Sequence, residues 1–315
     1  MSFTWRRDLR FYLLCVAMLA IALALTRPTI VYKGSAYDLL IIVDITGSMN
    51  ARDYSEAGRT ISRLDQSKAV LRALIADLPC RSRVGLGIFT ERKSFLLFEP
   101  VSLCDNYAAV DGAINALNWR MAWEGDSYVA RGLYSGIDMA SGLRADLIFM
   151  TDGQEAPPLP VSGPPQFTGH SGKVGGVIVG VGGLTPAPIP KFDERGNEVG
   201  FWAMAEVPQE NRAGLPPPDA ASRAGYNPRN APFGGDAAVG TEHLSALRED
   251  YLRELAQAST LSYVRLGERS DLRTAVLRSA HPRQLETEAD LRPLPAAIAA
   301  LALVLVYVLS LCKGA

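Results

Sequence analysis

Apolar positions along the chain fall into three kinds of run. Two runs are long and carry no charge: Phe11 to Thr26, between Arg10 and Arg27, and Pro293 to Cys312, between Arg292 and Lys313. A second kind is short and rich in β-branched residues and leucine: Leu39 to Val43, Leu147 to Met150, and a glycine-relieved run within Lys173 to Val181. Such runs predict strands buried on both faces, as in a parallel sheet. The third kind recurs at helical spacing. Leu64, Ala69, Leu71, Leu74, Ile75 and Leu78 predict a helix over Ser62 to Leu78, which Pro79 ends. Val110, Ile114 and Leu117 predict a second helix over Asn106 to Leu117. Ser127 to Leu143, His243 to Ala258 and Ser270 to Arg278 read as further helices, and Leu261 to Leu266 as a closing strand. Two hairpins complete the pattern: Val84 to Phe89 with Phe95 to Phe98, and Ile189 to Trp202 around Asp193 to Asn197. Buried strands alternating with helices predict a doubly wound, Rossmann-like α/β domain.

Between these elements lie two stretches without a period. Residues 151–173 hold Pro157, Pro158, Pro160, Pro164 and Pro165, so no helix runs through them. Residues 205–240 are rich in Pro, Gly, Asn and Ala and are too long for an ordinary connection. They read as a binding loop or a mobile segment.

The long runs add a membrane. Residues 11–26 and 294–312 predict two transmembrane helices flanking an α/β domain at 37–280. A spanning helix needs about 20 residues, and the first run is shorter, though its flanking arginines can snorkel. A cleaved signal peptide, with Ala20, Ala22 and Ala24 at cleavage sites, is the alternative. An uncleaved anchor is preferred, because the run stays apolar through Leu25 with no polar, helix-breaking stretch before a cleavage site. Arg6, Arg7 and Arg10 place residues 1–10 in the cytoplasm. The domain then lies on the far side, the periplasm if the membrane is a bacterial inner membrane.

Charge and cysteines sharpen this. The chain has 315 residues and a formal net charge of -1, with no basic run interleaved with aromatics, so nucleic acid is not an expected partner. Cys15 and Cys312 fall in the membrane runs. Cys80 and Cys104 flank the first hairpin symmetrically, so its arms return both to its open end. They are a disulfide candidate in an oxidising compartment; two buried free thiols are the alternative.

Candidate chemistry gathers where strands end. Asp44 closes the run Leu39 to Val43, and Thr46 and Ser48 follow at alternate positions. In open α/β sheets ligands sit beyond the carboxyl ends of strands. Asp152 follows the next buried strand, and Ser127 opens a predicted helix behind Gly125 and Asp126. One carboxylate and two hydroxyls could be a capped turn and nothing more. Three such segments, each at the edge of a regular element, instead suggest a crevice of hard oxygen donors, suited to Mg2+, Ca2+ or Mn2+.

These residues resemble those of the von Willebrand factor A (vWA) domains. The metal-ion-dependent adhesion site of that family reads Asp-x-Ser/Thr-x-Ser, then a Thr opening a helix, then an Asp after a strand. The matching positions here are Asp44, Thr46, Ser48, Ser127 and Asp152. Thr46 replaces Ser, and Ser127 stands where Thr is usual, keeping the oxygen without the methyl group. The likeness extends to GDSYVARGL at 125–133, VIVGVGG at 177–183 and the PIPKFDERGNEV hairpin. It implies a divalent cation, Mg2+ first, with Ca2+ or Mn2+ as alternatives. The stretches FTERKSFLLFEPV, NWRMAWEGDSY and TDGQEAPPLP resemble the MxaL-type vWA proteins of methanol-dehydrogenase gene clusters. That likeness implies a role in assembling or calcium-loading the periplasmic enzyme, in company with its other assembly proteins and a MoxR-type ATPase.

A non-enzymatic binding module is therefore expected. Two carboxylates and three neutral hydroxyls leave a cation short of ligand charge, so a protein partner offering a carboxylate fits. Trp123 and Tyr128 are candidates for the apolar rim of that contact, with Trp119 in the core. The rival readings are a metal-dependent phosphotransferase or hydrolase using Asp44, and a structural membrane anchor with a vestigial metal site. His170, His243 and His281 show no adjacent carboxylate pattern that would support catalysis.

Overall fold

Asp38–Asp44, strand β1, lies at the middle of a six-stranded sheet, and Leu39 to Val43 are fully buried. Alternation sends Leu39, Ile41 and Val43 to one core and Leu40 and Ile42 to the other, which is why the run has no polar position. The computed structural model describes residues 9–56, 58–122, 126–156, 159, 163–169, 172–206, 219, 222, 243–267 and 269–313.

The sheet continues with β2 (Arg83–Thr90), β3 (Lys93–Ser102), β4 (Asp146–Thr151), β5 (Gly176–Gly180) and β6 (Ser262–Arg265). Its order is β6-β5-β4-β1-β2-β3, parallel throughout except for the β2–β3 hairpin. Helices α1 (Arg63–Asp77), α2 (Leu103–Ala116), α3 (Val129–Leu143), α4 (Glu249–Ser259) and α5 (Arg269–Ser279) cover both faces. Residues of α1, α2 and α5 enter one core, and residues of α3 and α4 the other. The doubly wound topology puts the carboxyl ends of β1, β4 and β5 side by side.

Several boundaries differ from the expectation. Helix α1 is capped by Ser62, whose hydroxyl accepts from Asp65 N at 3.0 Å. Its buried stripe takes Val70 and leaves Ala69 exposed, because Ala69 lies five positions after Leu64, off the three-and-four spacing. Helix α2 starts early, at Leu103, with non-helical Asn106 (φ -122°) inside it. Helix α3 starts at Val129, so Ser127 lies ahead of the helix. Helix α4 starts at Glu249: Leu244–Ser245 first pairs with Ala187–Pro188, and Leu247 N and Arg248 N donate to Gly183 O and Asp152 O. The expected 205–240 loop lies almost wholly outside the described residues. A hairpin of Tyr54–Glu56 with Arg59–Ile61 was not expected; it is short and mostly exposed, so no apolar alternation marks it.

Cys80 and Cys104 form a disulfide, with Cα atoms 5.1 Å apart and a sequence separation of 24. On the chain-entropy model a loop of that length stabilises by about 3 kcal/mol. Cys80→Ser with Cys104→Ser should lower the unfolding free energy by about that amount. Chemical denaturation of the oxidised parent and the double variant checks it; equal midpoints would contradict it.

Residues 36–283 form one compact unit; residues 1–35 and 284–315 form another. Within the latter, Leu9–Leu25 is a helix of 17 residues and Pro293–Lys313 one of 21. The second contains a window, Pro293–Ser310, with mean hydropathy 2.2, long and apolar enough to cross a membrane. The first is a shorter apolar helix, about 26 Å at 1.5 Å per residue. Of the two expected spans, one is a helix long and apolar enough to cross a membrane and the other is a shorter apolar helix. The two helices pack together, and alanines are among their buried residues: Ala17 and Ala20 on one, Ala299 and Ala302 on the other. Small residues allow such close approach. Arg10 donates to Leu309 O at 2.6 Å, so the pair is antiparallel, with the start of the first helix beside the end of the second. A ribbon of Thr29–Ala36 with Arg283–Asp290 joins the helices, unforeseen because the strand Thr29–Ala36 is mostly exposed and has no period.

Candidate metal centre

At the end of β1 the chain turns on the Asp44 carboxylate. Its Oδ1 accepts from Thr46 N at 2.9 Å and from the Thr46 hydroxyl at 2.7 Å, and its Oδ2 accepts from the Thr151 hydroxyl at 2.6 Å. An aspartate that bonds the backbone two residues on makes a tight turn, which explains the abrupt end of the strand. Thr46 has one proton and gives it to Asp44, so its lone pairs face elsewhere. Thr46 Oγ1 and Ser48 Oγ are 3.4 Å apart. Gly47–Asn50 then forms a short 3-10 helix that keeps Ser48 buried.

Asp152 follows β4, the parallel neighbour of β1. Its Oδ2 accepts from Arg63 at 2.6 Å and from the Ser245 hydroxyl at 2.9 Å, while Oδ1 accepts from Gln154 N at 2.9 Å. Each carboxylate oxygen has about two acceptor positions. Asp44 therefore keeps one of them open on Oδ2, and Asp152 keeps one open on Oδ1.

Ser127 reaches the same edge by a route the sequence did not show. It sits in an isolated β-bridge to Ala156, with Ser127 N to Ala156 O at 2.6 Å and Ala156 N to Ser127 O at 2.8 Å. A second bridge joins it to Glu91. Ala156 lies four residues past Asp152, and Glu91 follows β2, whose Phe89 is level with Asp44. The strands flanking β1 thus clamp Ser127 from both sides. Its hydroxyl oxygen is buried and has no hydrogen-bond partner among the described residues. A buried unpaired hydroxyl costs about 1–3 kcal/mol, so it calls for a ligand.

Electrostatics at this edge favour added positive charge. Burial, and then the nearby Asp152 carboxylate, push the Asp44 pKa up to about 7, against bonds from Thr151 and Thr46 that lower it. Arg63 is fully buried and contacts Asp152 at 2.6 Å and Asp53 at 2.6 Å. Burial works against its charge, yet the two aspartates outweigh that and hold its pKa above the usual value.

Hard oxygens from Asp44, Thr46, Ser48, Ser127 and Asp152, with open acceptor positions and one orphan hydroxyl, fit a hard divalent ion. The donor set holds only two carboxylates; among the described residues no cluster of three or more His, Cys, Asp or Glu is present.

Around this crevice Tyr128 is half-buried, with the Arg92 and Arg131 guanidinium groups each 5.2 Å from its ring centroid. Trp123 and Gly125 lie outside the described residues. Trp119 is half-buried, not core: it stacks on Phe192 of the second hairpin at 4.4 Å. Arg63, Asp53, Thr151 and Ser245 escaped the sequence reading. Thr151 alone left a signal, as a hydroxyl at the last position of a buried strand.

An open α/β sheet with an oxygen-lined crevice at its carboxyl edge has the layout of an ion-dependent binding domain. Residues 39–154 match the family model described as von Willebrand factor type A domain. No curated protein matches the chain. Among solved structures it is similar to an aerotolerance-related membrane protein from Bacteroides fragilis NCTC 9343, with 16% identity and TM-score 0.47 over 78% of this chain and 98% of that one. It is also similar to the protein BatB from Bacteroides thetaiotaomicron, with 17% identity and TM-score 0.46 over 76% and 95%. The manganese-loaded TRAP protein of Plasmodium vivax shares 10% identity, with TM-score 0.37 over 84% and 82%.

Proposed function

We propose that this protein is a membrane-anchored, non-enzymatic binding module that captures a protein partner through a divalent ion, Mg2+ first among the hard cations. One observation carries the reading: the buried, unpartnered Ser127 hydroxyl at the sheet edge that also holds Asp44, Thr46, Ser48 and Asp152. These five residues would hold the ion. The ion supplies an electrophilic position that an anionic partner oxygen fills. Arg92 and Arg131, exposed beside Tyr128, add positive charge next to Ser127 and favour a carboxylate-bearing partner. His281 is engaged by Asp146, the first residue of β4, at the opposite edge of the sheet, which leaves it no part in acid–base chemistry at Asp44.

The finer reading places the domain in the periplasm of a bacterium, assisting assembly or calcium loading of an enzyme such as methanol dehydrogenase. It is supported by the resemblance of the stretches around Glu91, Trp119 and Asp152. Copurification from native membranes, with and without chelator, tests the function. A partner retained with Mg2+ and released by chelator is expected; a partner set indifferent to chelator would refute it.

The orientation has its own test. The reading that both termini are cytoplasmic is supported by the arginines ahead of the first apolar run. Reporter fusions at Gly172 and after Ala315 should report opposite sides; equal signals would reject two spans.

A further inference from the structure

Among the described residues Arg63 is the one buried basic side chain, and it lies at the edge of the sheet that carries Asp44 and Asp152. It is 0% exposed, although it stands in the first turn of α1, where a charged residue ordinarily faces water. Its Nε and one terminal nitrogen bond Asp53 Oδ2 at 2.9 and 2.6 Å. The other terminal nitrogen bonds Asp152 Oδ2 and Ser245 Oγ, both at 2.6 Å. The loop after β5 makes room for it: Gly182 has φ +121°, and a Cβ there would stand 2.6 Å from Arg63 Nε. The next residue, Gly183, donates its N–H to Asp53 at 2.8 Å. Segments from α1, β4, β5 and the approach to α4 therefore converge on one guanidinium.

Resting on the adhesion-site reading above, we propose that Arg63 is an internal cation that holds Asp152 and keeps the ion affinity of the site low, so that the ion is retained only when a partner adds an anionic ligand. Two features carry this. Arg63 and Ser245 fill both acceptor positions of Asp152 Oδ2, so Asp152 offers an ion at most its remaining position on Oδ1. Arg63 also sets a positive charge against two carboxylates, those of Asp53 and Asp152, and repels a second cation at close range. A site with weak affinity for the free ion and strong affinity for the ion with a carboxylate makes capture conditional on both. Arg63 is thus a positioning residue that sets an ion threshold.

The test is Mn2+ binding to the full chain in detergent without any partner, read by loss of the free-ion paramagnetic signal. Arg63→Met removes the cation and frees Asp152 Oδ2, and should bind Mn2+ at least about tenfold more tightly than the parent. Arg63→Lys keeps the charge and should stay close to the parent. A merely structural role for Arg63 predicts the reverse, since a loosened site binds an ion less well. If Arg63→Met does not fold, Asp53→Asn carries the test. It removes a negative charge, leaves the pairing with Asp152 intact, and should bind Mn2+ at least about threefold more weakly. Parent-like or weaker binding by folded Arg63→Met overturns the proposal and leaves the adhesion-site reading standing, as does parent-like or tighter binding by Asp53→Asn where Arg63→Met fails to fold. No Mn2+ uptake by parent or variants, even at tens of millimolar ion, overturns the adhesion-site reading and the proposal with it.

Discussion

Asp44→Asn should fold as the parent does and lose saturable Mn2+ uptake. The asparagine is nearly isosteric. Its side-chain oxygen still accepts from Thr46 N and the Thr46 hydroxyl, and its amide can donate to Thr151 Oγ1 in place of the bond Thr151 now gives to Asp44. Alanine is the poorer test: it strands the Thr46 and Thr151 hydroxyls, at about 1–3 kcal/mol for each that stays unpaired and buried. Asparagine also ends the unfavourable burial of a carboxylate beside Asp152. Against that small effect on folding stands a large one on the ion. Outer-shell partners of a metal typically cost 10–100-fold in affinity, and a direct charged ligand costs no less. The expected loss is at least about 100-fold. Calorimetry or the free-Mn2+ signal measures uptake, and thermal unfolding without ion controls for the fold. Equal uptake by Asp44→Asn and parent would make a structural anchor the better account of this chain.

Burial on both faces made the sheet legible. Leu39 to Val43 and Leu147 to Met150 have no solvent face, so each reads as an unbroken apolar run. Their order in the sheet, with helices between, then fixes Asp44 and Asp152 at the ends of adjacent strands. Ser127 was legible as a residue near that edge but not in its setting, because backbone bonds to Ala156 and Glu91, about 30 and 36 residues away in sequence, create the bridges. Arg63 was illegible for a different reason. A basic residue in a first helical turn carries the signature of solvent exposure, and its three partners come from segments 10, 89 and 182 residues away. The ribbon of Thr29–Ala36 with Arg283–Asp290 pairs the two ends of the chain through exposed positions, so no local pattern announces it.

Gly176→Ala is expected to destabilise the domain strongly while leaving it able to fold. Gly176 opens β5 level with Leu147 of β4 and has φ +127°. A Cβ there would stand 1.9 Å from Leu147 O and 2.7 Å from Leu147 N. Both are backbone atoms of a buried strand, and Leu147 N donates to Gly175 O at 2.9 Å, so neither strand can withdraw without breaking the ladder. Backbone strain at such a φ costs about 1–3 kcal/mol, and overpacking about as much again. The reduced entropy of the unfolded chain returns only about 0.4–1 kcal/mol. The net loss, about 1–6 kcal/mol, is set against the 5–15 kcal/mol typical of a folded domain. In a domain of this size it corresponds to a melting temperature lower by roughly 3–20 °C. The effect reaches the metal centre: β4 runs on to Thr151 and Asp152, and Val181 N donates to Thr151 O at 2.9 Å, so a displaced β5 moves the segment that carries Asp152 and the loop that shelters Arg63. Circular dichroism of the full chain in detergent checks the prediction. A melting temperature within about 2 °C of the parent would mean that β4 and β5 yield far more easily than their ladder implies.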